Sequence, residues 1–215
     1  MFKTIIFDID GTLLDTERIY MQAWVDAGAA FGYAVPQEAL LQTRAVSTSV
    51  AMERFRHFCG EDFPYETIRQ ERVRRAEEMI LAAPAEALRM PHAQELLQRL
   101  KDRGYTLAAA TSTNREKTES HLRQAGLLEF FPVIVCGDMV ALGKPAPDIF
   151  LKAAELTGTP AEDCLAVGDT PADVRAVTAA GMQVILIPDQ VPASPETAAL
   201  SLRVLSGLPE LLDML

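Results

Sequence analysis

Apolar residues fall along this chain in short unbroken runs and in wider, helix-spaced stripes. Five runs read as strands buried on both faces of a parallel sheet: residues 4–7, 107–110, 133–136, 165–167 and 184–187. Between the later runs the apolar positions recur at helical spacing. Residues 93–103 place Leu96, Leu97 and Leu100 on one face, and Gly104 ends that helix. Residues 117–124 and 148–156 repeat the logic. Residues 171–180 open with Pro171 in the first turn and stop at Gly181. Strand and helix in alternation predict an α/β fold built on a mostly parallel sheet.

The first strand breaks the rhythm. Between Asp15 and about Met90 no buried strand is predicted, and residues 16–31, 47–58 and 65–81 carry helical patterns. The last of these is dense in charge, with Arg69, Glu71, Arg72, Arg74, Arg75, Glu77 and Glu78, and reads as a solvated helix face. The chain is therefore expected to hold an α/β core, residues 1–14 and 90–215, interrupted by a helical domain at 15–89. Residues 208–215 read as a short closing helix and 191–197, with two prolines, as a loop.

At 215 residues and 49% apolar content the chain can bury a substantial core. The net charge of −10 argues against nucleic acid and anionic membranes as partners. It leaves room for anionic small molecules, because lysines and a metal reverse the field locally. Cys59, Cys136 and Cys164 form no C-x-x-C pair, and the last two read as buried small hydrophobes. No apolar run approaches the ~20 residues of a membrane span, and no secretory h-region opens the chain. A soluble cytoplasmic protein with free thiols is the expectation.

The chemistry concentrates where the runs end. Asp8 and Asp10 follow the first strand, and alternate strand residues share a side, so both carboxylates emerge together with Gly11 turning the backbone away. Two like charges this close call for a proton or a cation. The second strand runs into Thr111-Ser112-Thr113, the fourth into Gly168-Asp169-Thr170 and then Asp173, and Gly143-Lys144-Pro145 precedes the helix at Asp148. Each has a plain alternative: Asp169 or Thr111–Thr113 as helix caps, Lys144 as a surface lysine. Together they meet at the carboxyl edge of one sheet, where such folds bind ligands. Asp8, Asp10 and Asp169 are hard donors of the kind Mg²⁺ accepts. A hydroxyl and a lysine can hold a phosphoryl group, one aspartate can attack phosphorus, and the other can move the leaving group's proton.

Over its whole length the chain resembles the haloacid dehalogenase superfamily, in its branch of phosphatases with a helical cap after the first strand. The motif D-x-D-G-T stands as Asp8-Ile9-Asp10-Gly11-Thr12. The second motif's hydroxyl is Thr111, the third motif's lysine is Lys144, and G-D-x-x-x-D stands as Gly168 to Asp173. The resemblance implies a Rossmann-like sheet of order 5-4-1-2-3, with the cap closing over the site. It implies Asp8 as nucleophile and Asp10 as general acid/base. Mg²⁺ would sit on the Asp8 carboxylate, the Asp10 backbone carbonyl and Asp169, with Asp173 joining directly or through water. Thr111 and Lys144 would grip the phosphate with backbone N–H groups near Asp10 and Ser112.

The family's dehalogenases lack an acid at the second position, so Asp10 favours phosphate chemistry. The expected activity is hydrolysis of a small phosphate monoester, a sugar phosphate first. A mutase similar to β-phosphoglucomutase is the runner-up. Tyr20 stands where those mutases carry a cap histidine, and Thr48 follows Ala45-Val46-Ser47 where they carry an arginine. A binding protein on the same scaffold is the alternative of a different class, disfavoured because every catalytic position is filled. Arg18, Tyr20, Arg44, Thr48 and Arg54 are candidates to contact the leaving group. Trp24 reads as cap packing or as part of the substrate side. Thr113 and Asn114 are candidates for a substrate's distal polar group or for a helix cap, and His57, His92 and His121 show no metal spacing.

Overall fold

The computed structural model describes residues 2–43 and 48–215. Arg44 and the stretch 45–47, weighed above as leaving-group and mutase signals, lie outside the described residues. The chain divides into two compact units, Met1–Asp15 with Pro84–Leu215, and Thr16–Ala83.

The first unit begins with β1 (Thr4–Phe7) and continues after the insertion through α5 (Ala85–Leu88), α6 (Ala93–Asp102), β2 (Thr106–Ala110), α7 (Arg115–Gln124) and β3 (Val133–Val135). Then follow α8 (Asp148–Thr157), β4 (Cys164–Gly168), α9 (Pro171–Ala179), β5 (Gln183–Leu186), α10 (Pro195–Leu200), β6 (Arg203–Val204) and α11 (Leu208–Met214). The second unit holds α1 (Thr16–Ala30), α2 (Gln37–Gln42), α3 (Thr48–Cys59) and α4 (Tyr65–Ala82).

The sheet is parallel throughout, in the order β3-β2-β1-β4-β5-β6. Five strands keep the expected order, and a sixth joins the edge beyond β5. That strand is a correction to the five-stranded expectation. It spans two exposed residues with no apolar run to announce it, paired as Ile185↔Arg203 and Leu186↔Val204. The expected loop at 191–197 is also corrected. Ser194 accepts a hydrogen bond from the Thr197 amide at 3.2 Å and starts α10, with Pro195 in its first turn.

Apolar strands between two helical layers explain the burial. All four residues of β1 are buried, and Ile6, Ala108, Val135 and Ala166 share one core with Ile149, Phe150 and Val174 from α8 and α9. The chain leaves and re-enters this unit through paired backbone. The Asp15 amide donates to Leu88 O at 2.9 Å, and the Met90 amide to Leu13 O at 2.9 Å. In the second unit Phe55, Phe63, Tyr65 and Ile68 form a separate core. Among the described residues no helix is long and apolar enough to cross a membrane.

Candidate active site

β1 is the central strand, flanked by β2 and β4, so the residues just past these three carboxyl ends converge. The Asp8 amide extends the ladder by donating to Val167 O at 2.8 Å, and the Thr111 amide donates to Val135 O at 3.0 Å. The backbone then turns: Leu13 and Leu14 both donate to Ile9 O, and Gly11 takes φ +86°. On the far side, Thr170 caps α9 by accepting from the Asp173 amide at 3.2 Å. Asp173 Oδ2 returns the bond to the Thr170 amide at 3.0 Å. Thr170, not Asp169, is therefore the cap, and Asp169 turns to the site instead. Asn114, not Thr111–Thr113, caps α7, accepting from the Lys117 amide at 3.0 Å.

Asp8, Asp169 and Asp173 are buried and bring carboxylate oxygens within 4.8 Å of one another. Lys144 lies among them, its ammonium 2.5 Å from Asp8 Oδ1 and 2.7 Å from Asp173 Oδ1. It reaches there from the segment before α8, past a cis Lys144–Pro145 bond, with its side chain 6% exposed. The surface-lysine reading of Lys144 is thereby excluded. Thr12 Oγ1 approaches Asp169 Oδ1 at 3.4 Å. Burial pushes the Asp8 carboxyl up, to about 7, against the pull of Lys144. Burial also pulls Lys144 down, but Asp173 and Asp8 more than reverse it, so its pKa stands above the ordinary lysine value.

Asp10 also meets the hydroxyls that follow β2. Its Oδ2 accepts from Thr113 Oγ1 at 2.8 Å and from Thr111 Oγ1 at 3.4 Å. Thr113 thus faces the second aspartate directly, a partner that the spacing alone did not reveal. Its only sequence signal is its place two residues beyond Thr111, on the same side of an extended chain. The Ser112 side chain is exposed, while its carbonyl is pressed against Gly137, where a Cβ would lie 2.3 Å from Ser112 O.

The donor set suits a divalent cation. Three buried carboxylates lie together, Lys144 reaching two of them, Asp8 and Asp173, and hard oxygens at this spacing fit a small octahedral ion whose opposite ligands lie about 4 Å apart. Gly11 belongs to the same fit, since a Cβ there would stand 2.5 Å from Asp169 Oδ2. Gly11→Ala is expected to destabilise the protein by about 1–3 kcal/mol, from the left-handed φ and the displaced carboxylate. It should also weaken activation by divalent metal. Thermal unfolding and a metal titration of activity check both.

A family model described as haloacid dehalogenase-like hydrolase matches residues 2–181. A probable pseudouridine-5'-phosphatase of Drosophila melanogaster is 35% identical over 212 residues, covering 95% of this chain and 89% of its own. Protein CbbY of Rhodobacter capsulatus is 32% identical over 213 residues, covering 94% and 92%. A crystal structure of CbbY from Rhodobacter sphaeroides in complex with xylulose-(1,5)bisphosphate superposes with a TM-score of 0.78 at 28% identity, covering 98% and 96%. A match over residues 2–181, carried by relatives of nearly equal length, shows that this chain belongs to the haloacid dehalogenase-like hydrolase family.

Proposed function

We propose that this protein is a Mg²⁺-dependent phosphatase of small organic phosphate monoesters, sugar phosphates first, working through an aspartyl-phosphate on Asp8. The observation that carries this reading is the division of the two motif aspartates. Asp8 joins Lys144 and the acidic cluster, whereas Asp10 is drawn onto Thr113. Lys144 and a bound cation favour the ionised form that a nucleophilic carboxylate needs, while a proton carrier needs hydrogen-bonding partners of its own.

Mg²⁺, held by Asp8, the Asp10 carbonyl, Asp169 and Asp173, would supply positive charge against the phosphoryl oxygens. The chain's own groups do the rest. Lys144 and Thr111, with the Ser112 amide, bind the phosphoryl oxygens as charge spreads onto them. An Asp8 oxygen forms a bond to phosphorus while the bond to the ester oxygen breaks, and Asp10 gives that oxygen its proton. Water then attacks phosphorus, its proton passes to Asp10, and the Asp8–phosphorus bond breaks to release inorganic phosphate. The sugar bisphosphate held by CbbY makes sugar phosphates the first class to examine. In this reading the inserted helical unit, Thr16–Ala83, is the cap domain and supplies leaving-group selectivity.

The test is phosphate release from a panel of sugar phosphates, phosphoglycolate, nucleotides and pyrophosphate, with and without Mg²⁺. Mg²⁺-dependent release from at least one monoester, abolished by a chelator, is expected. Isomer formation with little free phosphate would make the protein a mutase, and turnover of pyrophosphate alone would remove it from the monoesterases.

Thr113→Val tests the second aspartate. Losing a hydrogen bond to a charged group costs roughly 1.5–3 kcal/mol, so kcat for a sugar phosphate should fall about 10- to 100-fold. Thr113→Ser should restore most of it. p-Nitrophenyl phosphate should lose less, because its leaving group departs without a proton. Equal losses on both substrates would deny Thr113 this role.

A further inference from the structure

The loop after β3 is fastened to the loop after β2, which carries Thr111, Ser112 and Thr113. Strand pairing ends at Ala110↔Val135, but the backbone goes on binding. The Thr111 amide donates to Val135 O, and further along the Gly137 amide donates to Thr113 O, both at 3.0 Å. Asp138 adds a side-chain tie. Its two carboxylate oxygens accept from the Arg115 amide, at 3.2 and 3.3 Å, in the first turn of α7. A helix start leaves that amide without an intrahelical partner, and the dipole favours an anion there. The turn offering these groups is itself fixed. The Met139 amide donates to Cys136 O at 2.9 Å, Met139 Sδ accepts from the Cys136 amide at 3.4 Å, and Cys136 is buried.

Gly137 sets how closely the two loops approach. A Cβ at this position would stand 2.3 Å from Ser112 O and 3.0 Å from Ser112 C. Both are backbone atoms, so no change of rotamer relieves the clash. Carbon and oxygen settle at about 3.3 Å, so a side chain here would push the 112–113 peptide away by about 1 Å. That peptide leads into Thr113, whose Oγ1 lies 2.8 Å from Asp10 Oδ2. A displacement of this size is enough to take a hydrogen bond out of range. Thr111 is held separately, by Val135 O, so its amide does not depend on Gly137.

We infer that Gly137 and Asp138 are positioning residues for proton transfer by Asp10: they clamp residues 112–115 so that Thr113 holds the Asp10 carboxylate in its working orientation. Neither touches the reacting groups. The inference rests on the phosphatase reading above and extends it to the loop after β3.

Gly137→Ala should lower kcat/KM for a sugar phosphate about 10- to 100-fold, the scale of a 1 Å misplacement. p-Nitrophenyl phosphate should lose less than about threefold, because its leaving group departs without a proton. Gly137→Ala combined with Thr113→Val should lose no more than the worse single variant, since both break the same bond. Asp138→Ala should shift the substrate ratio in the same direction, and Asp138→Asn, which keeps an acceptor oxygen, should restore it. Asp138 is exposed, so its variants should fold even where Gly137→Ala does not.

Thr113 can also be read without turnover, from its methyl signal in protein labelled with ¹³C at threonine methyls and assigned by its loss in Thr113→Val. Gly137→Ala and Asp138→Ala should move that signal. They should leave those of Thr4 and Thr159, whose hydroxyls meet 2.7 Å apart at the other end of the sheet. An unmoved Thr113 signal would overturn the clamp whatever the turnover. Equal losses on both substrates, losses that multiply in the double variant, or an Asp138→Asn as impaired as Asp138→Ala would overturn its part in the chemistry of Asp10. A wild type that releases phosphate from no monoester would instead remove the phosphatase reading and the catalytic half of this inference together, while the methyl signal still decides the clamp.

Discussion

Asp8→Asn is expected to abolish phosphate release, by roughly 10⁴-fold or more, and to leave the protein folded. The amide is nearly isosteric but cannot form the acyl phosphate, and no neighbouring group replaces it. Asp10 is held on Thr113, and Asp169 and Asp173 flank the site without following β1. The fold should survive because the site is short of positive charge before metal binds. Asp8 is buried, and its carboxyl is pushed up, to about 7, so the native state prefers its neutral form.

The sign follows from linkage. A carboxyl whose folded pKa exceeds its unfolded value of 3.8 favours the fold below that value, and the contribution is lost as pH rises through about 7. Asparagine stays neutral throughout. In metal-free buffer at pH 8 the Asp8→Asn thermal midpoint should therefore equal or exceed wild type, and the difference should shrink at pH 5. Added Mg²⁺ should raise the wild-type midpoint more than the variant's, since the variant has lost a charged ligand. Measurable turnover in Asp8→Asn, at more than about 1% of wild type, would remove Asp8 as the nucleophile.

The parts of the fold legible in the sequence are those buried on both faces. Strands such as 4–7 and 165–167 show as unbroken apolar runs because helices cover both sides, and each ends in the polar residues that build the site. The edge strand β6 leaves no such trace. Arg203 and Val204 are exposed, and their pairing comes from backbone bonds such as Leu202 N to Val184 O at 2.8 Å. Asp8 and Asp169 are legible for the same reason, each directly following a buried strand, whereas Lys144 stands in the segment before α8 and Asp173 in the first turn of α9. What each side chain turns towards is less legible. Thr113 and Asn114 carry the same cap-forming propensity, yet one faces Asp10 and the other caps α7. Arg72 is the clearest case. Its helix has the composition of a solvated face, and only the packing of Tyr20 and Trp24 against it sets this one arginine apart from Arg74 and Arg75.

Lys144→Met should lower both stability and rate. The ammonium lies 2.5 Å from Asp8 and 2.7 Å from Asp173, whose side chains are 9% and 2% exposed. Methionine fills a similar volume but leaves both carboxylates buried beside Asp169 with no cation. Removing one partner of such a pair costs about 3–5 kcal/mol, because the remaining charge is uncompensated. In metal-free buffer at neutral pH the loss should be near that figure. It should shrink as the pH is lowered and a carboxylate takes up a proton. Mg²⁺ should recover part of it, since a divalent ion on Asp8, Asp169 and Asp173 supplies the missing charge.

The rate should not recover in step. Lys144 is the one cationic side chain contacting Asp8 among the described residues, and the charge developing on the phosphoryl oxygens would lose a fixed donor. Loss of one preorganised donor of this kind lowers kcat about 10²- to 10³-fold. Thermal unfolding with and without Mg²⁺, alongside phosphate release at saturating metal, separates the two effects. Full return of activity once Mg²⁺ restores stability would make Lys144 a structural counter-ion to Asp173 and leave the phosphoryl group to Thr111 and the backbone amides.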